Sequence, residues 1–530
     1  MSRRNEKRRE ANARARTNFG VDGSIGSRQE RRAIQERGKK VELLADVVRD
    51  LVPYSPEATL ELLTDRPSGF APFLIDRLVR EVARLPDPGN ARPTVPMVRE
   101  LITRLGNAFD PAMADRIGGD LSEVLFSRLM APQALAQRDF STDLFRVMQV
   151  MLDPTDNPLL GASAWKALLG VELAHFVAAV SDLSGALELG PVAREAVLAG
   201  RPPELAAGIK GAVDLLAAEM SGLRAAAAGG RTPLASGDEI YSLGPLLSYP
   251  VYRRADGTLG APSIEYLRLA ASPPSLYIRL ARLDGKSRAR TKQVGERFQL
   301  YLRRWTEAAA AAGWEVCDLD QAPVDGKIAD LAIWPTDRTF LLVVEGKSTL
   351  QKFEAQLGHD AERAEVAELY QDSFNQIDAT VDRMRGGGFP TDAPQDVPTF
   401  GLTVTLEHHW TTMMGGRVFP GVAMPYRKPT GPSAAGRTEC RVISVDAYEP
   451  LANMLAWADA ADVLGVLGFL FAAEDTRELA PHVRAQLGSR LPKDIPVNPL
   501  VPEGYRILAD SFNDSELTAG LRAIADSLRN

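Results

Sequence analysis

The stretch TFLLVVEGK, residues 339–347, constrains the fold of this chain more than any other. Its unbroken apolar run from Phe340 to Val344 leaves no polar face. The strand it predicts is therefore buried on both sides, inside a sheet covered by helices. Yet the run closes on Glu345 and Lys347, two charges where a covered strand should accept none. A shorter apolar run, KIADLAIW at 327–334, precedes it across a PTDR turn and carries Asp330. Burying charges without partners is costly, so these three residues need either each other or a task.

Pairing of the two runs as a hairpin would bring Asp330 near Glu345. Only the right register puts both carboxylates on one face, because a slip of one residue turns a side chain to the other side. Glu345 and Lys347 share a face, since side chains alternate along a strand. Two carboxylates suit a hard divalent cation, Mg²⁺ or Mn²⁺, which takes oxygen ligands and keeps water and substrate phosphate as the rest of its shell. Asp330, Glu345 and the carbonyl of Gly346 are the expected ligands. Lys347 beside them would orient or deprotonate the attacking water and offset charge on a phosphate. Gly346 lets a substrate backbone come close. The plainer reading is a salt bridge between Asp330 and Lys347 at a sheet edge, with no metal at all.

The residues in this order resemble the PD-(D/E)xK nuclease superfamily. An acid, fourteen intervening residues and then Glu345-Gly346-Lys347 follow a helix bearing Glu296, although Ala329 stands where the motif has Pro. A helix over AEVAELYQDSFNQIDATVDRMR and a strand at TFGLTVTLEHHW come next, so the likeness spans about residues 291–412. It implies a restriction-endonuclease-like α-β-β-β-α-β core and Mg²⁺-dependent hydrolysis of phosphodiesters, DNA being the favoured substrate, in repair, restriction or phage defence. It also implies catalytic roles for Asp330, Glu345 and Lys347, a supporting role for Gln376 with Gln371 behind it, and a first-helix acid at Glu296. A superfamily member that has lost catalysis and serves as an adaptor is the alternative.

Around this core the fold class expected is multidomain, α plus α/β. Residues 1–40 hold thirteen Lys or Arg against five acids, a net +8 that leaves −15 for the remainder of a chain of net charge −7. Such a tail lacks the apolar surface to fold alone and suits loose contact with phosphate backbones. From 41 to 230, runs such as FLIDRLVREVARL, MVRELITRLGNAF and LSEVLFSRLM place apolar residues at helical spacing and predict an irregular helical domain open to a protein partner. His175 in VELAHFVAAV reads as a packed helical histidine. Residues 231–290 break into Pro- and Gly-punctuated runs that predict a linker or hairpin. They end in a basic segment whose Arg279, Arg282, Lys286, Arg288, Arg290 and Lys292 are candidates for nucleic-acid contact. The nuclease-like domain is expected over 291–440, with a Gly- and Pro-rich loop at 385–398, and a helical region over 441–530.

Other chemistries find less support. The chain has no GxxxxGK[ST] loop and no GxSxG elbow, and neither Cys317 nor Cys440 has a Cys or His at zinc spacing. His408 and His409 read as the end of a strand, and His359 as an exposed helix-start residue. Two cysteines and no apolar stretch of about 18 residues point to a cytoplasmic protein that does not span a membrane.

Overall fold

The computed structural model describes residues 46–65, 71–85, 88–108, 144–155, 157–228, 244–284, 287–319, 327–349, 360–387, 397–407, 426–427, 438–472, 496–512 and 515–528. The basic tail, the LSEVLFSRLM run, Lys286, His359, His408, His409 and most of the 385–398 loop lie outside the described residues. The protein is mixed, with helical segments at both ends of the chain and two small sheets.

The larger sheet, of six strands among the described residues, holds the candidate site. Helix α1 (Ala289–Ala309) leads into strands β1 (Trp314–Asp318), β2 (Leu331–Pro335) and β3 (Leu341–Lys347); helix α2 (Asp360–Arg385) then crosses to β4 (Thr399–Thr405). Strands β5 (Tyr426–Arg427) and β6 (Glu439–Ser444) complete it, and helix α3 (Val445–Asn453) follows directly. The spatial order is β1-β2-β3-β4-β6-β5. The first three strands are antiparallel neighbours, while β3, β4 and β6 run parallel. The parallel step from β3 to β4 requires a crossover, and α2 supplies it.

Alternation along the strands sorts the two faces. Leu342 and Val344 of β3 join Leu331, Ile333, Leu402 and Val404 under Phe298, Leu302 and Trp305 of α1. Leu341 and Val343 join Ala332, Trp334 and Val442 under Tyr370, Phe374, Ile377 and Val381 of α2. The α2 residues are spaced four, three and four apart, which makes one stripe of a helix. Both faces of β3 are thus covered, as its unbroken apolar run demanded. Each such side chain removed from water contributes about 1.5–3 kcal/mol.

The core on the α1 side continues into segments before and after it in the chain. It takes in helices Ala162–Leu169, Leu173–Glu188 and Pro203–Leu216, and also α3, Ala460–Ala472 and Leu500–Asp510. A separate core holds Leu51, Leu78, Ile102, Leu223 and Leu246. The stretch 41–230 therefore feeds two cores. Within 231–290 the expected hairpin forms from Val251–Arg253 and Thr258–Gly260, with short strands from 192–193 and 217–218 at its edges. His175 is packed as expected, its Nε2 on the Ser511 carbonyl at 2.8 Å and its ring 4.7 Å from that of Phe512. Among the described residues no single helix is long and apolar enough to cross a membrane.

One buried polar cluster fastens these segments together. Arg146, fully buried, donates to both oxygens of Glu449 at 3.0 Å and to Asp446 at 2.8 Å, while Tyr301 of α1 donates to Glu449 at 2.6 Å. Burial pushes the Glu449 carboxyl above the usual range, and the Arg146 charge pulls it back.

Candidate active site at the end of strand β3

Strand β2 pairs with β3 so that Leu331 faces Val344. Continued, that register would set Asp330 opposite Glu345. Instead the chain bends at Asp330, and its N–H donates to the Val344 carbonyl at 3.1 Å. The ladder slips by one residue at the point where β2 begins. The Asp330 carboxylate takes the place of a main-chain acceptor: Oδ2 receives the Gly346 N–H at 2.6 Å, and Oδ1 receives Gln299 Nε2 of α1 at 2.8 Å.

Glu345 and Lys347 leave β3 on the other face. The Lys347 ammonium pairs with Glu345 Oε1 and donates to Gln376 Oε1 of α2 at 2.9 Å. Glu345 is 1% exposed and Asp330 3%, whereas the Lys347 side chain keeps 19% of its surface. The two carboxylates thus flank Gly346 from opposite faces of the sheet, with the lysine as the more accessible of the three groups. The expected single face is not formed, because the slip at Asp330 sends its carboxylate toward α1. The salt bridge also differs from the plainer expectation, since Lys347 pairs with Glu345.

Gly346 is required by this packing. A Cβ there would lie 2.8 Å from Leu302 Cδ1 and 3.2 Å from Asp330 Oδ2. Helix α1 could not then press so closely on the strand end.

The remaining candidates divide. Gln376 joins the cluster; Gln371 is exposed and bonds Asn375 at 2.7 Å. Glu296 stays on the open side of α1, ion-paired with Lys292 at 3.6 Å, and lines a cleft of about 190 Å³ with Gln299, Arg303, Asp318 and Asp330. Arg303 and Asp318 are paired across that cleft. Of the basic segment, Arg290 is taken up by the buried Asp284 at 3.2 Å, and Arg288 begins α1 in the left-handed region at φ 54°. Arg279 and Arg282 border a different cleft.

Two residues that sequence reasoning passed over complete the site. Gln299 lies one turn beyond Glu296, on the face that meets β2, a spacing that could have marked it. Thr380, one turn after Gln376, donates its hydroxyl to the Gln376 carbonyl of its own helix at 2.7 Å and receives the Ala329 N–H at 2.8 Å, fixing the segment before Asp330. No signal short of the fold would have found it.

Among the described residues, no three His, Cys, Asp or Glu side chains gather around a point a metal could occupy. The oxygen donors at the end of β3 are two carboxylates and the Gly346 carbonyl. By its chemistry such a set suits a hard cation that takes most of its shell from water and a substrate phosphate, but the two carboxylates turn to opposite faces and do not converge on one point.

No protein-family model matches the chain, and neither a curated protein nor a solved structure matches it significantly.

Proposed function

We propose that the protein is a metal-dependent nuclease of the restriction-endonuclease-like type, hydrolysing phosphodiester bonds of nucleic acid, with DNA the favoured substrate. The observation that carries this reading is the Lys347 ammonium held between Glu345 and Gln376 at the end of a buried strand, one residue from the Gly346 N–H on which Asp330 docks. The α-β-β-β-α-β order of α1 to β4 supports it. Asp330 on one face or Glu345 on the other, each with the Gly346 carbonyl, would hold Mg²⁺ or Mn²⁺, the rest of the shell coming from water and substrate phosphate. When bound, the cation supplies a Lewis acid for a phosphate oxygen and a more acidic water.

The chain's own groups do the rest. Gln299 fixes the Asp330 carboxylate, and Gln376 fixes Lys347, so neither has to be ordered as substrate arrives. Lys347 places a positive charge where a phosphorus centre gains negative charge during attack. In the reaction a water oxygen forms a bond to phosphorus, the ester P–O bond breaks, and a proton passes to the departing oxygen.

Incubation of the purified full-length protein with linear, circular and single-stranded DNA and with RNA, in Mg²⁺ or Mn²⁺, tests this reading. Cleavage that disappears in Lys347→Ala and Glu345→Gln is the expected result. Equal cleavage by these variants would assign the activity to a contaminant.

A second reading, a non-catalytic adaptor with a silent core, is favoured by one observation: both carboxylates are buried and turn to opposite faces of the sheet. It expects no cleavage under any of these conditions.

A further inference from the structure

We propose that a second cleft, between helix Pro273–Asp284 and the turn Leu247–Tyr249, is a binding site for a phosphate group. Ser275, Ile278, Arg279 and Arg282 follow at i, i+3, i+4 and i+7, so that one stripe of the helix lines the cleft. Leu247, Ser248 and Tyr249 form the facing wall, with Leu215 at the end of helix Pro203–Leu216. The space is about 190 Å³.

Its charge is unbalanced. Among the described residues neither Arg279 nor Arg282 has an acidic partner, although many other arginines are ion-paired. The acids nearest the cleft in sequence on its two lining helices are committed elsewhere: Asp214 to Arg194 and Lys210, and Asp284 to Arg290. Arg279 is half-buried, and its guanidinium is pushed below the usual range, first by burial and then by the adjacent Arg282 charge. An anion between the two would relieve both effects. The hydroxyls of Ser248, Ser275 and Tyr249 add three donors to those of the guanidinium groups.

A tetrahedral phosphate, with its several acceptor oxygens, uses such a surplus of donors better than a carboxylate does. The apolar half of the cleft, Leu215, Leu247 and Ile278, leaves room for the carbon skeleton of a phosphate ester. This gives a specific role to two arginines that the sequence marked only as part of a basic segment. It does not require cleavage chemistry at Lys347.

Calorimetric titration of the full chain in chelator tests the site, using inorganic phosphate, a nucleoside 5′-monophosphate, the unphosphorylated nucleoside and an oligonucleotide without terminal phosphates. Phosphate and the monophosphate should bind and the nucleoside should not, with affinity falling about tenfold or more in Arg282→Gln. Arg282 is exposed, so this variant keeps the fold, and Ser275→Ala should weaken binding to a smaller degree. If the oligonucleotide binds at least as well as the monophosphate, the source is a strand backbone; if it binds much worse, the source is a free nucleotide. Absence of binding by every phosphate compound at millimolar concentration overturns the site, as does equal binding by wild type and Arg282→Gln. Because no divalent cation is present, these results are independent of the cleavage assay.

Discussion

The Asp330 carboxylate accepts the main-chain N–H of Gly346 at 2.6 Å, filling a ladder position that a neighbouring strand would ordinarily supply. Strands β2 and β3 therefore part at this point without leaving the Gly346 donor bare. The parting is what lets charged groups reach the end of a strand that is otherwise sealed. It also sets Asp330 and Glu345 on opposite sides of one residue.

Gly346→Ala should be destabilising by about 1–3 kcal/mol, since its methyl group would press on Leu302 and on Asp330. Urea denaturation measures the loss. Combining it with Leu302→Ala should give less than the sum of the two single effects, because the contact that creates the strain is gone. Strict additivity would show that the strand end gives way.

Lys347→Ala removes the ammonium from a carboxylate that is almost wholly buried, and such a change costs about 3–5 kcal/mol. The double variant Glu345→Gln with Lys347→Met should recover much of that stability. It should not recover any nuclease activity. Thermal denaturation separates the structural effect from the chemical one.

Asp76 offers a pH signature. Burial raises its carboxyl from 3.8 to about 6, against the pull of the Leu246 and Gly244 N–H groups that it accepts. Its folded form therefore keeps a proton that the unfolded chain releases. This contribution to stability is fully present below pH 3.8 and is lost as pH rises through about 6, by an amount on the order of 3 kcal/mol. The difference in unfolding free energy between wild type and Asp76→Asn, followed from pH 4 to 8, should carry that slope. A flat difference would show that Asp76 titrates normally.

Cys440 should be inert. Burial drives its thiol up to about 12, so no thiolate forms at neutral pH, and the side chain is sealed between β4, β6 and α2. A thiol reagent at pH 8 should modify at most one cysteine per chain before unfolding and both after it. Rapid modification of both in the folded protein would contradict this packing.

Much of the core was legible because its signals are local. The run from Phe340 to Val344 announced a covered strand, and AEVAELYQDSFNQIDATVDRMR announced a helix, whose stripe of Tyr370, Phe374, Ile377 and Val381 proves to be the cover. The short β-hairpin at 251–260 followed from its punctuation. Gln376 could be preferred over Gln371 by likeness alone, and the structure places Gln376 on Lys347. The turn of Asp330 toward α1 was not legible. It depends on a one-residue slip set jointly by Val344, Gly346, Gln299 and Thr380, which come from three separate elements. The pairing of Glu296 with Lys292, four residues earlier on the same helix, was legible in that spacing and was passed over. The sharing of one core by residues near 150, 300 and 500 is also beyond any window of sequence.

The buried contact between Arg146 and Glu449 spans 303 positions of the chain. During synthesis the guanidinium leaves the ribosome long before its carboxylates are made. The pocket that Tyr301 and Arg146 form around Glu449 therefore closes only after residue 449 has been made. A polypeptide released early, short of residue 446, would carry an intact β1–β4 sequence yet lack the counter-charges that lock its covering helix. Protein quality control would meet such a fragment as an unfinished core, open on the α1 side.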